Sequence, residues 1–543
     1  MGATLTELIE QAAGEGPVII QGEDGTQVSL QHLLESSRCI ASDLQRRGVQ
    51  RGDRVGLIIE NGPGFFRSLF AVLYAEGIAV PLALPSAMSP GRYIAHLHRV
   101  AADAQIKNII VNRRWLRILE GGRGDPGPPG FTFIDEEDLS AESGWLAGEG
   151  DAESLAIIQY TSGSTSVPRG VCLTHQNVTT GLDAIIKGAE VTADDRLGLW
   201  LPLFHDMGLF SALSGLAAGL SVVIWRPGSF IRKPGRWLEQ FAAQGCTISC
   251  TPNFFFDYLA EAKDTLTGSL DLSRWRIAFN GAETVQAHTM ESFITAFSDY
   301  GFRRSTMCPV YGLAEATLAV TFTLPGADPG VVWLDRDRLT SAGRAEMVDP
   351  GDRGAWPLVG VGRPVRAMQV RIAGAGGADG SVGEIEIRGR SVTRGYLNQD
   401  PGTLFTADGW LRTGDLGFFH DGSLYPVGRI KDVIIVRGEN YFAEDAEAIV
   451  RDIPGVYRRN CAAVGVTTKT SQSLAIVTET SQQESSARRE LITLIRSEIS
   501  AHLGLRDISV HLAPPQSLPR TTSGKIQRST VRAQLMSGET ALG

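Results

Sequence analysis

The chain has 543 residues, with 51 Lys+Arg against 60 Asp+Glu and a formal net charge of −9. That length exceeds what one hydrophobic core supports, so several subdomains are expected, and 43% hydrophobic with 20% charged residues is the balance of a globular protein. The acidic pI near 5.6 excludes a nucleic-acid binder that works by broad phosphate neutralisation, and no run of about 18 apolar residues offers a membrane span.

Along the chain, Asp53 to Glu60 reads as a strand, Phe65 to Glu76 as a helix beside it, and Ile106 to Val111 as a further strand. This β-then-α rhythm predicts an α/β architecture with a largely parallel, buried sheet. Gly121 to Gly130 is expected to be an exposed loop. It contains G-x-G-x-x-G at Gly122, Gly124 and Gly127, but prolines stand where a dinucleotide-binding helix would start. A second α/β stretch runs from about Leu155 to Pro325. Val382 to Arg388 then alternates like a half-buried strand of a small β region. In the last hundred or so residues, Val433 to Arg437 and Leu474 to Thr478 read as strands. Ser486 to Leu503 reads as an amphipathic helix through Leu491, Ile495 and Ile499. The expected boundary near Gly428–Arg429 divides the chain into 1–428 and 429–543. The six cysteines (Cys39, Cys172, Cys246, Cys250, Cys308, Cys461) form no CxxC pair or zinc-spaced set, which fits a reducing compartment. With no secretory leader pattern, the expectation is a cytoplasmic protein.

The most informative segment is Tyr160-Thr-Ser-Gly-Ser-Thr-Ser-Val-Pro-Arg-Gly170. A strand feeds a run of small residues, Thr161, Ser162, Gly163, Ser164 and Thr165, and then Arg169. Small residues let backbone N–H groups approach a phosphate, hydroxyls add donors, and arginine adds charge. It is not a Walker A loop, since G-K-[S/T] is absent from the chain. Taken alone, the segment is also compatible with a polar hairpin.

This segment resembles the phosphate loop of the adenylate-forming superfamily: acyl-CoA synthetases, luciferases and nonribosomal adenylation domains. Tyr311-Gly-Leu-Ala-Glu-Ala316, Leu411-Arg-Thr-Gly-Asp-Leu416, Gly428-Arg-Ile-Lys-Asp432 and Leu518-Pro-Arg-Thr-Thr-Ser-Gly-Lys-Ile-Gln-Arg528 follow in that superfamily's order. Two positions depart from it, Ser166 for a glycine and Arg169 for a lysine. The resemblance implies a large N-terminal domain of α/β subdomains plus a small β region, then a small, mobile α+β C-terminal domain. It also implies ATP as substrate with Mg²⁺. Lys525 would be the catalytic lysine bridging the acyl carboxylate and the α-phosphate, since catalysis must hold two repelling anions in line. Glu315 would help hold Mg²⁺, with the Thr165 hydroxyl nearby. Tyr311 and Gly312 would border the adenine, Tyr311 stacking on it, and Asn280-Gly281-Ala282-Glu283 would line the base pocket through its backbone. Asp415 would accept the ribose hydroxyls, Arg429 would support the ribose, and Lys431 would mark the hinge. Each has a plainer alternative: Lys525 as a solvated lysine, Tyr311 as core, Asp415 as a turn cap, Arg429 as a surface ion pair, Lys431 as a linker.

Two features are similar to the fatty acyl-AMP ligase branch. Trp200-Leu-Pro-Leu-Phe-His-Asp-Met-Gly-Leu209 resembles its signature and would place His205 between the acyl pocket and the reacting carboxylate, although a buried structural histidine is the alternative. Glu315 to Gly362 spans 47 positions (362 − 315), and the extra stretch, near 331–359, resembles that branch's insertion. In Val436-Arg-Gly-Glu-Asn-Tyr-Phe-Ala-Glu-Asp445 the branch's basic and histidine positions are Glu439 and Tyr441. Thr251 to Phe256, with Leu209 and Leu213, offers apolar surface for an acyl tunnel or for plain core. No Asp-Ser dipeptide for phosphopantetheine attachment occurs, so the acyl carrier protein that the branch serves would act in trans. An acyl-CoA ligase and a non-catalytic nucleotide-binding partner of a carrier are the rival readings. A hydrolase is disfavoured because no G-x-S-x-G elbow is present.

Overall fold

A computed structural model of the chain describes residues 2–85, 90–121, 130–139, 150–161, 168–336, 338–339, 343–352, 354–376, 378–436, 439–467, 472–505, 508–521 and 525–537. Two largely parallel sheets carry the first two thirds. One has six strands in the order Thr132–Asp135, Asn108–Val111, Arg54–Ile58, Ile78–Pro81, Leu155–Thr161 and Arg169–Thr174, parallel except for the last pair. The other has nine. Its parallel centre runs from Ile19–Gly22 through Ser221–Ile224, Arg196–Leu199, Ile248–Pro252 and Ile277–Gly281 to Met307–Leu313, with antiparallel strands at both edges. Strands covered on both faces need unbroken apolar runs. Ile78–Pro81, Ile248–Pro252 and Ile277–Gly281 are accordingly buried along their whole length.

The expected α/β order is present, with boundaries moved by local chemistry. The helix read at Phe65 to Glu76 spans Pro63–Tyr74. Pro63 suits a first turn because its missing N–H would be unpaired there anyway, and the chain leaves the helix before Glu76, whose φ is +58°. Of the loop expected at Gly121 to Gly130, residues 122–129 lie outside the described residues, and Gly121 closes the helix Arg113–Gly121. An aromatic cluster fills one side of the larger sheet. Trp200 stacks on Phe230 at 4.2 Å and Phe230 on Phe255 at 4.7 Å, with Trp237 and Trp275 buried beside them.

Beyond these sheets, Met368–Ile372, Gly383–Gly389, Leu411–His420 and Ser423–Arg429 form an antiparallel four-stranded sheet. Cys461–Thr467, Gln472–Glu479 and Ile508–Ala513 form a three-stranded sheet, packed by the helices Ala443–Arg451 and Ser485–Leu503 around a hydrophobic cluster of their own. The Ser485–Leu503 helix buries Leu491, Ile495, Ile499 and Leu503, one residue per turn on one face, and ends at Gly504 with φ +67°. Among the described residues, no helix is long and apolar enough to cross a membrane.

A two-stranded ribbon pairs Val331–Asp335 with Ala355–Val359, its register running from Val331 opposite Val359 to Asp335 opposite Ala355. Leu334 and Leu358 of the ribbon pack with Phe418, Tyr425 and Phe442. Just past its first strand, Arg336 reaches Asp445 of the helix Ala443–Arg451 at 2.8 Å, with side-chain exposures of only 9% and 2%. Removing one member of a buried pair strands the other charge, at a cost of about 3–5 kcal/mol. Arg336→Ala is therefore expected to lower the unfolding midpoint of the C-terminal unit and speed its proteolysis. Replacing both members by apolar residues should restore most of the loss, and a wild-type midpoint in the single variant would show that the pair does not hold the joint.

Candidate active site

Where the four-stranded sheet meets the larger parallel one, strand register brings three side chains together. Asp415 lies directly opposite Arg429 in the antiparallel ladder, and its Oδ1 forms an ion pair with the Arg429 guanidinium, Nε lying 2.9 Å away. Its Oδ2 accepts from the Tyr311 hydroxyl at 2.7 Å, which joins strand Met307–Leu313 to the same carboxylate. Burial, then the Asp415 charge, pushes the Tyr311 phenol well above its ordinary pKa, so it stays a donor. The next residue, Gly312, sits at a bulge where a Cβ would fall 1.8 Å from the Leu318 carbonyl oxygen, so no side chain fits there.

Glu315 follows on the short turn Ala314–Ala316 and accepts from the Tyr396 hydroxyl at 2.5 Å. Burial pushes its carboxyl above the usual range, against the pull of that hydrogen bond. The Arg169 guanidinium lies 5.3 Å from the centre of the same Tyr396 ring. Arg169 also stands opposite Thr161 in the strand pair that brackets the expected phosphate loop. Ser162, Gly163, Ser164 and Thr165 lie outside the described residues.

His205 precedes the helix Asp206–Ala217, and its Nδ1 is 2.6 Å from Asp206 Oδ1. At Gly208, a Cβ would meet the Pro202 carbonyl oxygen at 2.2 Å, so glycine is what lets this helix start fold back against its own entry loop. Burial raises the Asp206 pKa, but the His205 charge and hydrogen bond, and then the Lys525 charge, outweigh it and hold the carboxyl at about 2. Lys525 keeps contact with water while protein surrounds it. Desolvation lowers its ammonium pKa, and Asp206 is the largest influence opposing that fall.

All these groups line one cavity of about 1420 Å³: Thr161, Arg169, His205, Asp206, Tyr311, Gly312, Glu315, Asp415, Arg429, Lys431 and Lys525. From the Asn280–Glu283 segment only Ala282 reaches the wall. Asn280 is fully buried with its amide on Asn253, and Glu283 accepts from the Phe254 backbone N–H at 2.7 Å. The apolar wall is not the one considered from the sequence. Phe255, Phe256, Leu209 and Leu213 are core, 0% exposed, because they fill the aromatic cluster and the adjoining helix packing. Ile185, Met207, Cys250, Phe279, Ala319 and Phe322 line the cavity instead. Sequence reading also missed Tyr396 and Asp206. Tyr396 comes from a turn with no motif of its own, whereas Asp206 was visible beside His205 as an acid available to pair with it.

The AMP-binding enzyme family model matches residues 9–397. The chain belongs to that family, among its fatty acyl-AMP ligases. It is 34% identical over 535 residues to a medium-chain-fatty-acid–[acyl-carrier-protein] ligase of Moorena producens, covering 94% of this chain and 90% of the relative. A structure from work on fatty acyl-adenylate ligases of E. coli and L. pneumophila superposes with a TM-score of 0.91 at 31% identity, covering 99% of both chains. An L. pneumophila fatty acyl-adenylate ligase in complex with acyl adenylate and pyrophosphate gives 0.74 at 29% identity, covering 98% of this chain and 96% of that one. As an adenylate-forming enzyme of this family, the ligase takes ATP as its nucleotide substrate.

The depressed Asp206 value has a pH consequence for the ligase. A carboxyl whose pKa falls from 3.8 to about 2 on folding stabilises the fold above pH 3.8, and that stability is lost as pH drops towards 2. In full the effect is roughly 2 kcal/mol. Asp206→Asn is expected to flatten the fall in melting temperature across this window. A variant falling as steeply as wild type would place the sensitivity elsewhere.

Proposed function

We propose that the protein joins a fatty acid to AMP and then passes the acyl group to the phosphopantetheine thiol of a separate acyl carrier protein. The observation that carries this reading is the shared cavity. The Lys525 ammonium enters from the C-terminal unit, the Tyr311–Asp415–Arg429 cluster forms a polar corner, and apolar side chains line another part of the wall. The likeness to a carrier-protein ligase supports carrier rather than CoA as the acceptor.

In the first step a carboxylate oxygen attacks the α-phosphorus of ATP. A P–O bond forms, the bond to the β-phosphate oxygen breaks, and pyrophosphate leaves. Both reactants are anions, so fixed positive charge between them lowers the barrier. Lys525 supplies it, bridging carboxylate and α-phosphate, while Arg169 receives phosphate charge at the other side. Asp415 accepts the ribose hydroxyls, Arg429 steadies them, and Tyr311, Gly312 and Ala282 border the base. His205, fixed by Asp206, borders the acid. Glu315 fits Mg²⁺: it is an oxygen donor on the cavity wall whose buried charge a cation would relieve. Mg²⁺ held there with Thr165 would neutralise phosphate charge. In the second step the thiol sulfur attacks the acyl carbonyl, a thioester forms, AMP leaves and the thiol proton is released. Division into 1–428 and 429–543, turning about Lys431, gives the small unit freedom to exchange Lys525 for the carrier's thiol. The ribbon 331–359 acts as the branch's insertion and restrains that turn through Arg336.

A panel of fatty acids with ATP and Mg²⁺, assayed by mass alone, with CoA and with a phosphopantetheinylated carrier, tests the reading. Acyl-AMP that disappears only when carrier is added is the expected result. Acyl-CoA would reassign the ligase to CoA, and ATP binding without any adenylate would make it a non-catalytic partner. Lys525→Ala is expected to cut acyl-AMP formation by about 100-fold or more with ATP affinity little changed. Near-normal turnover in that variant would remove the lysine from the mechanism.

A further inference from the structure

His205 stands before its helix without capping it, and within its own segment its ring is paired with Asp206, Nδ1 lying 2.6 Å from Oδ1. The backbone that carries this pair is held from the other sheet. Gln159, on strand Leu155–Thr161, donates Nε2 to the Phe204 carbonyl at 2.8 Å, one residue before His205. Asn61, just beyond strand Arg54–Ile58, grips the start of the same loop. Its Nδ2 donates to the carbonyls of Leu201 at 2.8 Å and Trp225 at 3.1 Å, and its Oδ1 accepts from the Leu203 N–H at 3.1 Å. Two amides of the six-stranded sheet thus bind the backbone of residues 201, 203 and 204, which belong to a loop of the nine-stranded sheet.

The orientation of the Gln159 amide is dictated by what it faces. Phe204 and Tyr160 both present carbonyl oxygens to it, at 2.8 and 3.4 Å, and only the NH₂ end can answer them. Its Oε1 is consequently turned away, buried, and without a hydrogen-bond partner among the described residues, although the residue is 1% exposed and lines the cavity. A buried unpaired acceptor is unfavourable. Methionine would fill the same space without that penalty, so what the amide adds is its bond to Phe204.

We infer that Gln159 is a positioning residue for His205, acting through the Phe204 carbonyl, with Asn61 anchoring the loop behind it. This rests on the proposed adenylation, in which His205 borders the reacting acid.

The test compares full-length wild type, Gln159→Met, His205→Ala and the double variant for acyl-AMP formation with a fatty acid, ATP and Mg²⁺. Gln159→Met is expected to lower kcat roughly tenfold to a hundredfold, the scale on which a small misplacement of a reacting group acts, with the KM for ATP changed by less than about twofold. In the His205→Ala background the same substitution should cost nothing further, since its effect passes through the missing ring. Gln159→Glu, which turns an oxygen onto two carbonyls, should lose more than Gln159→Met. A wild-type kcat in Gln159→Met, or losses that multiply in the double variant, would overturn the inference. Should His205→Ala fall below detection, the His205 imidazole titration followed by NMR decides. A shifted curve in Gln159→Met is the expected result, and an unchanged one sinks the inference. Wild type that forms no acyl-AMP from any acid would remove the adenylation reading instead, and the NMR comparison would still decide whether Gln159 sets the His205 ring.

Discussion

An ammonium brought into a partly desolvated cavity has to be compensated there, and the arrangement around Lys525 follows from that requirement. Burial lowers its pKa, Arg429 adds to the fall, and Asp206, Glu283 and Asp415 oppose it. Asp206 opens a helix, Glu283 follows a strand of the nine-stranded sheet, and Asp415 lies in the four-stranded sheet. The site is therefore complete only when the C-terminal unit is seated against them. Among the described residues, Arg429 to Asp415 joins that unit to the rest at the cavity, and two further ion pairs do so outside it: Arg336 to Asp445, and Arg459 to Asp257 at 3.1 Å. Neither of these two touches the cavity. They set the position of the lysine without competing for a ligand.

Seating the unit would be useless if Lys525 could wander within it. Three residues on, Arg528 is held by Asp432 at 2.8 Å, Glu444 at 2.6 Å and Glu447 at 2.7 Å. Asp432 is the neighbour of Lys431, which lines the cavity. The short turn Ile430–Asp432 therefore presents one charge to the cavity and the next to Arg528, the anchor of the segment that carries Lys525. Any rotation about this turn must carry the Arg528 cluster with it, so Lys525 moves as part of the unit rather than as a loose side chain.

The parts of this architecture legible in the sequence are those with a local signature. Burial on both faces writes strands such as Arg54–Ile58 and Asn108–Val111 as apolar runs, and the spacing Leu491, Ile495, Ile499 writes the last long helix. The motif residues Tyr311, Glu315, Asp415, Arg429 and Lys525, singled out because their segments resemble those of the adenylate-forming superfamily, line one cavity. What stayed hidden is contact between segments distant in sequence. Gln159 and Phe204, Asn61 and Leu203, Arg336 and Asp445, and Tyr396 and Glu315 each pair residues far apart in the chain. No window of sequence contains both members. Sequence alone left Thr251 to Phe256 open between tunnel and core for the same reason: Phe255 and Cys250 are near neighbours on paper, yet the first is sealed in the aromatic cluster and the second faces the cavity.

The Asp415 corner shows how far the site is organised in advance. A carboxylate offers about four acceptor positions on its two oxygens. Tyr311 donates to Oδ2 and the Arg429 guanidinium pairs with Oδ1, which leaves acceptor positions on both oxygens. The proposed vicinal pair of ribose hydroxyls could be met without breaking either existing contact. The Asp415 backbone N–H is itself held by the Thr413 hydroxyl at 3.1 Å, and Tyr311 and Arg429 restrain the carboxylate from its two sides. Rigidity of this kind removes the ordering cost from binding. It also means that Tyr311 cannot be judged as a stacking surface alone, since its hydroxyl takes part in orienting the acid beside it.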